Sequence, residues 1–543
     1  MRKLMLRVVV VELIALGLLV SIFTIPTLAE EEYQITAILQ SPEPKPFAKF
    51  GISIAVSEDM IVIGEHQAEV EGYALAGKVY VFDLDGNLKA TLHAPTPQRR
   101  AEFGGSVAIS GDIVVVGEAY AHVDGKLYAG RAYIFDSDGN LQATLQSPEP
   151  ILNGAFGRNV AISNDTVVVT ESTAHIEDAL QAGKVYVFDL DGNLIAALQS
   201  PEPYSAEWDI FESQDPYYEY WGGGGNFGFS MDGSGGIIVV GEPYTPVEDK
   251  IGAGKAFIFD SEGNLLKTLQ APEPQELSGF GKWGVDVNGD IIVVGEYYAE
   301  VEGHKRAGRA YIFDLDGNLL AALQSPEPEE NAEFGCNVAT SGDLVIVGEP
   351  LADVEGVNEG KVYVFDLDGN LLATLLAPAP AVDAEFGWPV AVRGDIIVVG
   401  ENYANLEEAP EAGRVHVFRK GMVSFEMSSL SINPSSVKED ESITISADVT
   451  NTGTIFGSHT ITLKIDDEFE DEKTVTLNPD ESTTVSFEVP ATEEGSYSVD
   501  VNGLTGSYEV RKAQTGIPGF PIESIILGLA IVLLVQWLYH RRS

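Results

Sequence analysis

Short apolar runs separated by turn residues fill most of the chain. In residues 103–146, the runs SVAIS, IVVVGE, RAYIFD and LQATLQ are separated by Gly-Asp, a longer polar stretch and Ser-Asp-Gly-Asn. Runs rich in Val, Ile, Tyr and Phe between such signals are typical of β-strands, and Asp-Gly favours a tight hairpin turn. The pattern therefore predicts a unit of four antiparallel strands.

This unit recurs seven times, and each copy begins near a Phe-Gly pair. The seven phenylalanines are Phe50, Phe103, Phe156, Phe227, Phe280, Phe334 and Phe386. Seven such units predict an all-β fold with a seven-bladed β-propeller over residues 32–421. The last copy stops after RVHVFRKG without a fourth strand. We therefore expect residues 35–40 to complete the seventh blade, which would remove exposed edges.

The pattern changes at both ends of the chain. Basic residues, an apolar stretch and Thr27-Leu28-Ala29 predict a signal peptide at residues 1–29. Near the other end, a linker at 512–523 precedes an apolar stretch at 524–540 and the tail 541–543, Arg-Arg-Ser. We interpret these as a transmembrane anchor and a short cytoplasmic tail, which would place the large remainder outside the cell. The tripeptide Pro518-Gly519-Phe520, the apolar helix and the basic tail together resemble an archaeal C-terminal sorting signal.

Charge and cysteine content narrow the class of protein. The chain has 83 acidic and 32 basic residues and a net charge of −51. Such a charge repels nucleic-acid phosphates, so we expect no nucleic-acid partner. Cys336 is the only cysteine, so an exported chain must be stabilised without an intramolecular disulfide.

The repeats and the segment that follows them resemble two known families. FGxSVAISGDxVVVGE followed by AGKVYVF resembles the FG-GAP repeat of integrin-alpha-type propellers. Residues 424–511, with strands such as SITISADVTNTG, resemble the CARDB family, which implies an immunoglobulin-like β-sandwich that would act as a stalk. Calcium-binding FG-GAP members carry an Asp-rich loop between the first two strands. Here that connection is only Gly111-Asp112, too short to surround a calcium ion, so we expect no calcium site of that type.

Two sets of acidic residues fall on the face that carries the longer connections. The first set ends the second strand of each copy and comprises Glu65, Glu118, Glu171, Glu242, Glu296, Glu349 and Glu401. The second set lies six residues later and comprises Glu71, Asp124, Glu177, Glu248, Glu302, Glu355 and Glu407. Each third strand opens with Lys or Arg, so we expect the first set to form exposed cross-strand ion pairs; a cation-binding or catalytic ring is the alternative. No cofactor is predicted, although the second set is a candidate for loosely bound calcium.

One insertion interrupts the repeats. Residues 206–225 read AEWDIFESQDPYYEYWGGGG, between the third and fourth copies. Its candidate ligand-binding residues are Trp208, Phe211, Tyr217, Tyr218, Tyr220 and Trp221, because aromatic rings can stack on sugars or dock a protein surface. The alternative is that they pack on the blades as a lid. Trp283 and Trp388 extend this aromatic surface at the channel mouth or pack between the inner strands.

These features predict a binding protein and not an enzyme. No catalytic residue is assigned, because a sevenfold acid ring lacks the asymmetric carboxylate pair of a glycosidase, and the chain has no HExxH or GxSxG motif. We predict a membrane-anchored cell-surface adhesion protein that recognises an extracellular glycan, protein or envelope component. The alternatives are an enzyme acting on extracellular polysaccharide, with Asp209 or Glu212 paired to a channel acid, and a purely structural envelope component.

Overall fold

Strands make up almost all of the secondary structure. The computed structural model describes residues 33–176, 179, 181–204, 224–407, 409–512 and 522–541. It divides into two compact units, Met1–Lys420 and Gly421–Ser543. The predicted all-β class is confirmed. The predicted signal peptide, the Pro-Gly-Phe tripeptide and the six candidate aromatics of the insertion lie outside the described residues.

The first unit contains 28 described strands in seven sheets. They are β1 (Tyr33–Leu39), β2 (Phe50–Val56), β3 (Met60–Glu65), β4 (Lys78–Asp83), β5 (Leu88–Leu92), β6 (Val107–Ser110), β7 (Ile113–Glu118), β8 (Arg131–Asp136), β9 (Leu141–Leu145), β10 (Val160–Ser163), β11 (Thr166–Glu171), β12 (Lys184–Asp189), β13 (Leu194–Gln199), β14 (Met231–Ser234), β15 (Ile237–Glu242), β16 (Lys255–Asp260), β17 (Leu265–Leu269), β18 (Val285–Asn288), β19 (Ile291–Glu296), β20 (Arg309–Asp314), β21 (Leu319–Leu323), β22 (Asn337–Ser341), β23 (Leu344–Glu349), β24 (Lys361–Asp366), β25 (Leu371–Leu375), β26 (Val390–Arg393), β27 (Ile396–Glu401) and β28 (Arg414–Lys420).

Each sheet has four antiparallel strands. Six sheets use consecutive strands, from β2–β5 through to β22–β25, while the seventh has the order β1-β28-β27-β26. In that sheet, β1 pairs antiparallel with β28, from Tyr33 opposite Lys420 to Leu39 opposite Val415. The two ends of the unit are thus joined by backbone hydrogen bonds within one sheet.

The seven sheets form a closed ring. Their first strands contact one another in succession, and β26 contacts β2. These strands line a central cavity of about 380 Å³. An apolar core lies between each pair of neighbouring sheets; at the junction of the last and first sheets it includes Phe50, Ile63, Tyr80 and Val415. Closure therefore rests on side-chain packing as well as on strand pairing.

The Phe-Gly pairs form the junctions between sheets. All seven phenylalanines are fully buried. The Phe103 N–H donates to the Ala76 carbonyl at 2.8 Å, and Phe50 makes the same bond to Ala412. Beside each bond a glycine approaches the phenylalanine backbone so closely that a Cβ on Gly77 or Gly413 would overlap it. This close approach explains the glycine that precedes every third strand.

The second unit contains a two-layer β-sandwich. Its strands are β29 (Phe425–Asn433), β30 (Ser436–Lys438), β31 (Ser442–Asn451), β32 (Gly457–Ile465), β33 (Glu468–Leu477), β34 (Ser482–Pro490), β35 (Gly495–Val501) and β36 (Leu504–Arg511). One sheet has the order β29-β31-β34 and the other β30-β36-β35-β32-β33. Ile445 and Phe487 from the first sheet share one core with Leu463 and Val499 from the second.

A single helix, α1 (Ile522–His540), lies within the described residues of this unit. No helix in the described part of the chain has the combination of length and apolar character that crossing a membrane requires. The predicted transmembrane anchor at residues 524–540 is therefore not confirmed.

Candidate functional site

The glutamates that end the second strands are buried and not exposed. All seven lie in the described part of the chain, and their exposed fractions are 0–2%. Each stands opposite its predicted basic partner in the strand register, as Glu118 does opposite Arg131. Among these seven opposite pairs, all of them described, only Glu401 and Arg414 form an ion pair, however. The expectation of exposed ion pairs is wrong, because the other carboxylates turn inward to hydroxyl groups.

Tyrosines of the third strands donate hydrogen bonds to five of these glutamates. The pairs are Tyr80 with Glu65 at 2.8 Å, Tyr133 with Glu118 at 2.6 Å, Tyr186 with Glu171 at 3.0 Å, Tyr311 with Glu296 at 2.7 Å and Tyr363 with Glu349 at 2.7 Å. His416 takes the tyrosine's place beside Glu401, at 2.7 Å. The position beside Glu242 holds Phe257, which cannot donate.

Serines from the preceding sheet supply a second donor. The Ser147 hydroxyl follows β9 and donates to Glu171 at 3.0 Å, and Ser200 donates to Glu242 at 2.9 Å. Ser325 donates to Glu349 at 3.2 Å. Each of these bonds joins two neighbouring sheets. The serine of the recurring Ser-Pro-Glu-Pro segment therefore helps to hold the ring together, and this set of glutamates is structural.

Burial raises the pKa of these carboxyl groups. Glu65, Glu118, Glu171, Glu242 and Glu349 each reach a pKa of about 7 because burial outweighs their hydrogen bonds. At Glu401 burial also acts to raise the pKa, but His416 and Arg414 together hold it below its usual value. In six members of the set, all except Glu401, Oε1 has no hydrogen-bond partner among the described residues. A substantial part of this set is thus protonated at neutral pH.

Four members of the second set of acids lie at two-residue turns. Glu71 and Gly72 have φ angles of +52° and +86° and form a two-residue turn between Val70 and Tyr73. Asp124, Glu248 and Glu302 occupy the same left-handed position in their own turns. The described members are exposed, and Glu177 lies outside the described residues. Across the described ranges, no three His, Cys, Asp or Glu side chains come close enough to hold a metal ion.

The Asp-x-Asp-Gly-Asn segments also form turns. Asp83 Oδ1 accepts hydrogen bonds from the Asn87 backbone N–H at 2.8 Å and from its side-chain amide at 3.1 Å. These bonds hold the pKa of Asp83 at about 2. The aspartate side chain that begins each motif therefore serves as a hydrogen-bond acceptor within its own turn.

The insertion leaves the ring at a defined base. The Gly225 N–H donates to the Tyr204 carbonyl at 3.0 Å, so the two ends of the insertion meet. The Tyr244 N–H in turn donates to the Gly225 carbonyl at 3.4 Å. The six candidate aromatics lie beyond this base, outside the described residues, and their role stays a prediction.

Aromatic and basic side chains from four sheets meet beside this base. We call this group the axial cluster; its members are Arg158, Phe229, Tyr244, Lys282, Trp283 and Trp388. The Trp283 ring lies 4.8 Å from Phe229 and 5.9 Å from Trp388, between ring centroids. Phe229 lies 5.8 Å from Tyr244. The structure thus brings together the two tryptophans that the sequence placed near the channel mouth.

The basic members of the cluster lie against aromatic rings. The guanidinium carbon of Arg158 is 4.8 Å from the Phe229 centroid and 5.8 Å from that of Trp283. The Lys282 ammonium lies 5.0–5.9 Å from four rings, those of Phe229, Tyr244, Tyr297 and Tyr298. These distances are in the range of cation–π attraction. Positive charge is therefore concentrated here, in a chain whose net charge is −51.

Partly buried acids lie near both cations of the cluster, Glu333 near Lys282 and Glu102 near Arg158. Burial raises the pKa of Glu333 and Glu385 to about 7, and it also raises the pKa of Glu102. Burial lowers the pKa of His66 to about 4, so His66 is neutral at physiological pH. Cys336 is fully buried and its thiol pKa is raised by that burial, as expected of a cysteine that is no nucleophile.

Two aspartates line the central cavity. Asp232 and Asp286 occupy the second position of β14 and β18, and the other five first strands have alanine at the equivalent place in the strand register. Asp232 Oδ2 accepts the Val287 N–H at 3.0 Å, and Asp286 Oδ2 accepts the Thr340 N–H at 2.7 Å. Burial raises the pKa of both, and the neighbouring Asp232 carboxyl raises that of Asp286 further. The ring therefore does contain an asymmetric carboxyl pair, which the sequence analysis missed.

Family models and known proteins agree with the repeats. The FG-GAP repeat model matches residues 87–135, 142–188, 319–365 and 370–418, and the CARDB model matches residues 423–503. The chain carries FG-GAP repeats and a CARDB domain. These two predicted resemblances are confirmed, whereas the resemblance of the Pro-Gly-Phe tripeptide and the residues after it to an archaeal sorting signal is not shown. The FG-GAP matches run from the fourth strand of one sheet to the third strand of the next, so the repeat unit contains a whole junction with its Phe-Gly pair and buried glutamate.

Two integrins are similar to part of this chain. Integrin alpha-11 of Homo sapiens is 32% identical over 140 residues, which are 22% of this chain and 11% of the integrin. Integrin alpha-11 of Mus musculus is 32% identical over 130 residues, 21% of this chain and 11% of the integrin. The chain thus spans about a tenth of the length of these relatives.

Proposed function

We propose that this chain is a cell-surface adhesion protein whose FG-GAP ring, a seven-bladed propeller, binds an extracellular glycan, protein or envelope component. The FG-GAP repeats and the similarity to integrin alpha-11 indicate an extracellular binding or adhesion protein. They point away from an enzyme.

The axial cluster is the observation that carries this proposal. Trp283 and Trp388 are only half-buried, so parts of two indole rings face outward close to each other. Large amphipathic rings that stay accessible are the commonest anchors of binding surfaces. The packing of the ring does not explain them, because the apolar cores between sheets consist of other residues.

The insertion is the second part of the proposed surface. Its base, Tyr204 and Gly225, adjoins Tyr244 of the axial cluster through the hydrogen bond described above. We therefore propose that Trp208, Phe211, Tyr217, Tyr218, Tyr220 and Trp221 extend the binding surface from that base. Export by the signal peptide, attachment through residues 524–540 and a stalk role for the CARDB domain complete the proposal.

A second candidate function follows from Asp232 and Asp286. Two carboxyl groups with raised pKa values in one cavity are a feature of acid–base catalysis. Both groups, however, accept backbone N–H groups of the neighbouring first strand, which is a sufficient structural reason for their presence. A polysaccharide-acting enzyme is therefore the second candidate.

Deletion of residues 205–223 tests the proposal. The deletion keeps Tyr204 and Gly225, whose hydrogen bond already joins the ends of the insertion, so the ring should fold unchanged. Both forms are applied to arrays of glycans and cell-envelope fractions, with Arg393→Met on the opposite face of the ring as the control. We expect the full-length chain and the control to bind, and the deletion to lose most of the signal. Equal binding by all three forms would refute a role for the insertion, and turnover of a polysaccharide would favour the enzyme.

A further inference from the structure

We propose that the axial cluster binds an acidic sugar, a uronic acid residue within a mostly neutral glycan, with Arg158 as the carboxylate receptor and Trp283 and Trp388 as the sugar platform. This inference rests on the proposed function and names the ligand class for it. Its components are a cation that forms no direct ion pair among the described residues, two accessible indole rings and the distance between them.

Arg158 is the first component. Among the described residues, no side chain lies at hydrogen-bond or ion-pair distance from its guanidinium, and the Glu102 carboxyl interacts with it only through the longer-range attraction of their charges. Other basic residues near the same face do pair, as Lys49 does with Glu411 at 2.5 Å and Lys361 with Glu329 at 2.9 Å. In a chain with 83 acidic residues, a half-buried arginine that forms no direct ion pair among the described residues points to a partner from outside.

The orientation of Arg158 suits that role. Its guanidinium lies over Phe229 and Trp283, so aromatic contacts hold the planar group in place while its N–H groups remain available. A guanidinium fork binds a carboxylate through two parallel hydrogen bonds. Aromatic support reduces the side-chain freedom that would otherwise be lost on binding.

The tryptophans are the second component. Trp283 and Trp388 lie 5.9 Å apart with their planes tilted by 57°, and both are half-buried. The C–H groups of a sugar ring can pack on the negative face of an indole. Because the Arg158 guanidinium is only 5.8 Å from the Trp283 centroid, one monosaccharide can touch both.

The charge of the whole chain limits the ligand further. A net charge of −51 repels long polyanions, so a densely charged polymer is disfavoured despite the local positive charge. A single carboxylate on an otherwise neutral glycan avoids most of that repulsion. An acidic peptide would satisfy Arg158 but would make no use of the paired indoles, so we favour the sugar.

The test compares two matched oligosaccharides on the purified full-length chain. One ends in glucuronic acid, and in the other the same carboxyl group is reduced to an alcohol. We expect the acidic form to bind about tenfold or more tightly, in line with hydrogen bonds between charged groups. In Arg158→Met the two should bind equally and weakly, whereas Arg393→Met should retain the difference.

Two further measurements keep the result interpretable. Trp388→Phe retains a ring in the same place and should weaken both oligosaccharides while preserving the preference for the acid; thermal unfolding of each variant verifies its fold. The inference is overturned if wild type binds both sugars equally, if a folded Arg158→Met keeps the preference, or if a glutamate-rich peptide binds and the sugar does not. The chain could instead bind some other array component in a way that requires the insertion, with no preference for the acidic over the reduced sugar. That result would refute this inference alone and leave the proposed function intact.

Discussion

At the scale of single residues, the glutamates of the ring show how one carboxyl can serve two sheets. Glu171 ends β11, accepts the Tyr186 hydroxyl of its own sheet and also accepts Ser147 of the preceding sheet. Buried polar groups are tolerated only when such partners exist, since a lost partner costs the full desolvation of the group. The tyrosines and serines are therefore as important to the ring as its apolar cores.

Tyr133→Phe tests this role directly. The change removes the hydroxyl that donates to the fully buried Glu118 at 2.6 Å and keeps the ring that packs on Phe103. The other oxygen of Glu118 already has no partner among the described residues, so we expect a loss of about 1–3 kcal/mol in the free energy of unfolding. Denaturant unfolding measures it.

The control for that variant is Tyr73→Phe. Tyr73 is 47% exposed, so its change should alter stability by less than about 0.5 kcal/mol. If both variants unfold at the wild-type denaturant midpoint, the buried hydrogen bonds do not stabilise the ring.

The burial of these glutamates could not be predicted from the sequence. Strand pairing did place Glu118 opposite Arg131, as the sequence indicated. Which side chain covers Glu118 depends on how the third strand and the loop from the preceding sheet pack against it. This packing is tertiary structure, which the sequence pattern does not give. The axial cluster could not be predicted for the same reason, because Arg158, Phe229 and Lys282 come from different sheets. A signal did exist, since the residue after Phe-Gly differs in every copy while the Phe-Gly pair before it is constant.

At the scale of elements, the strands follow the apolar pattern closely. Val, Ile, Tyr and Phe runs between turn residues predicted the four strands of each copy, and the all-β class is confirmed. The missing fourth strand of the last copy predicted an N-terminal strand in its place, and β1 lies there. The two-residue turns with Glu71 or Asp124 were not predicted, because an acidic residue with positive φ has a weak sequence signal.

Gly413→Ala tests the junction that closes the ring. Gly413 has a φ angle of +84°, and a Cβ there would overlap the Phe50 backbone. We expect the strain of a left-handed alanine, about 1–2 kcal/mol, plus about 1–3 kcal/mol from the overlap. Thermal and denaturant unfolding measure the total.

Gly72→Ala separates the two costs. Gly72 has nearly the same φ angle, +86°, and nothing lies within 4 Å of its Cβ position. Gly72→Ala should therefore lower the free energy of unfolding only by the strain of a left-handed alanine. Equal destabilisation by the two variants would mean that the close approach at the junction is not a constraint.

At the scale of the whole molecule, the ring concentrates titratable groups in buried positions. Five glutamates with a pKa of about 7 are distributed around five junctions. Their ordinary value is 4.5, so between these values the folded chain binds more protons than the unfolded chain. Stability from these groups is complete below about pH 4.5 and is lost as the pH rises through about 7.

We therefore expect the melting temperature of the ring to be highest near pH 5 and to fall towards pH 8. Each carboxyl contributes at most about 1.4 kcal/mol per unit of pKa shift, and the growing negative charge of the chain acts in the same direction. Aspartates of the turns, such as Asp83, act oppositely because their pKa is lowered, but that stability is lost only below about pH 4.

Glu118→Gln fixes a neutral side chain beside Tyr133, so it should flatten the decline between pH 5 and pH 8. Glu71→Gln removes an exposed acid and should leave the decline unchanged. A melting temperature that rises from pH 5 to pH 8 would mean that the buried carboxyls are ionised throughout, and that the hydroxyl donors and the basic side chains opposite them outweigh the cost of burial.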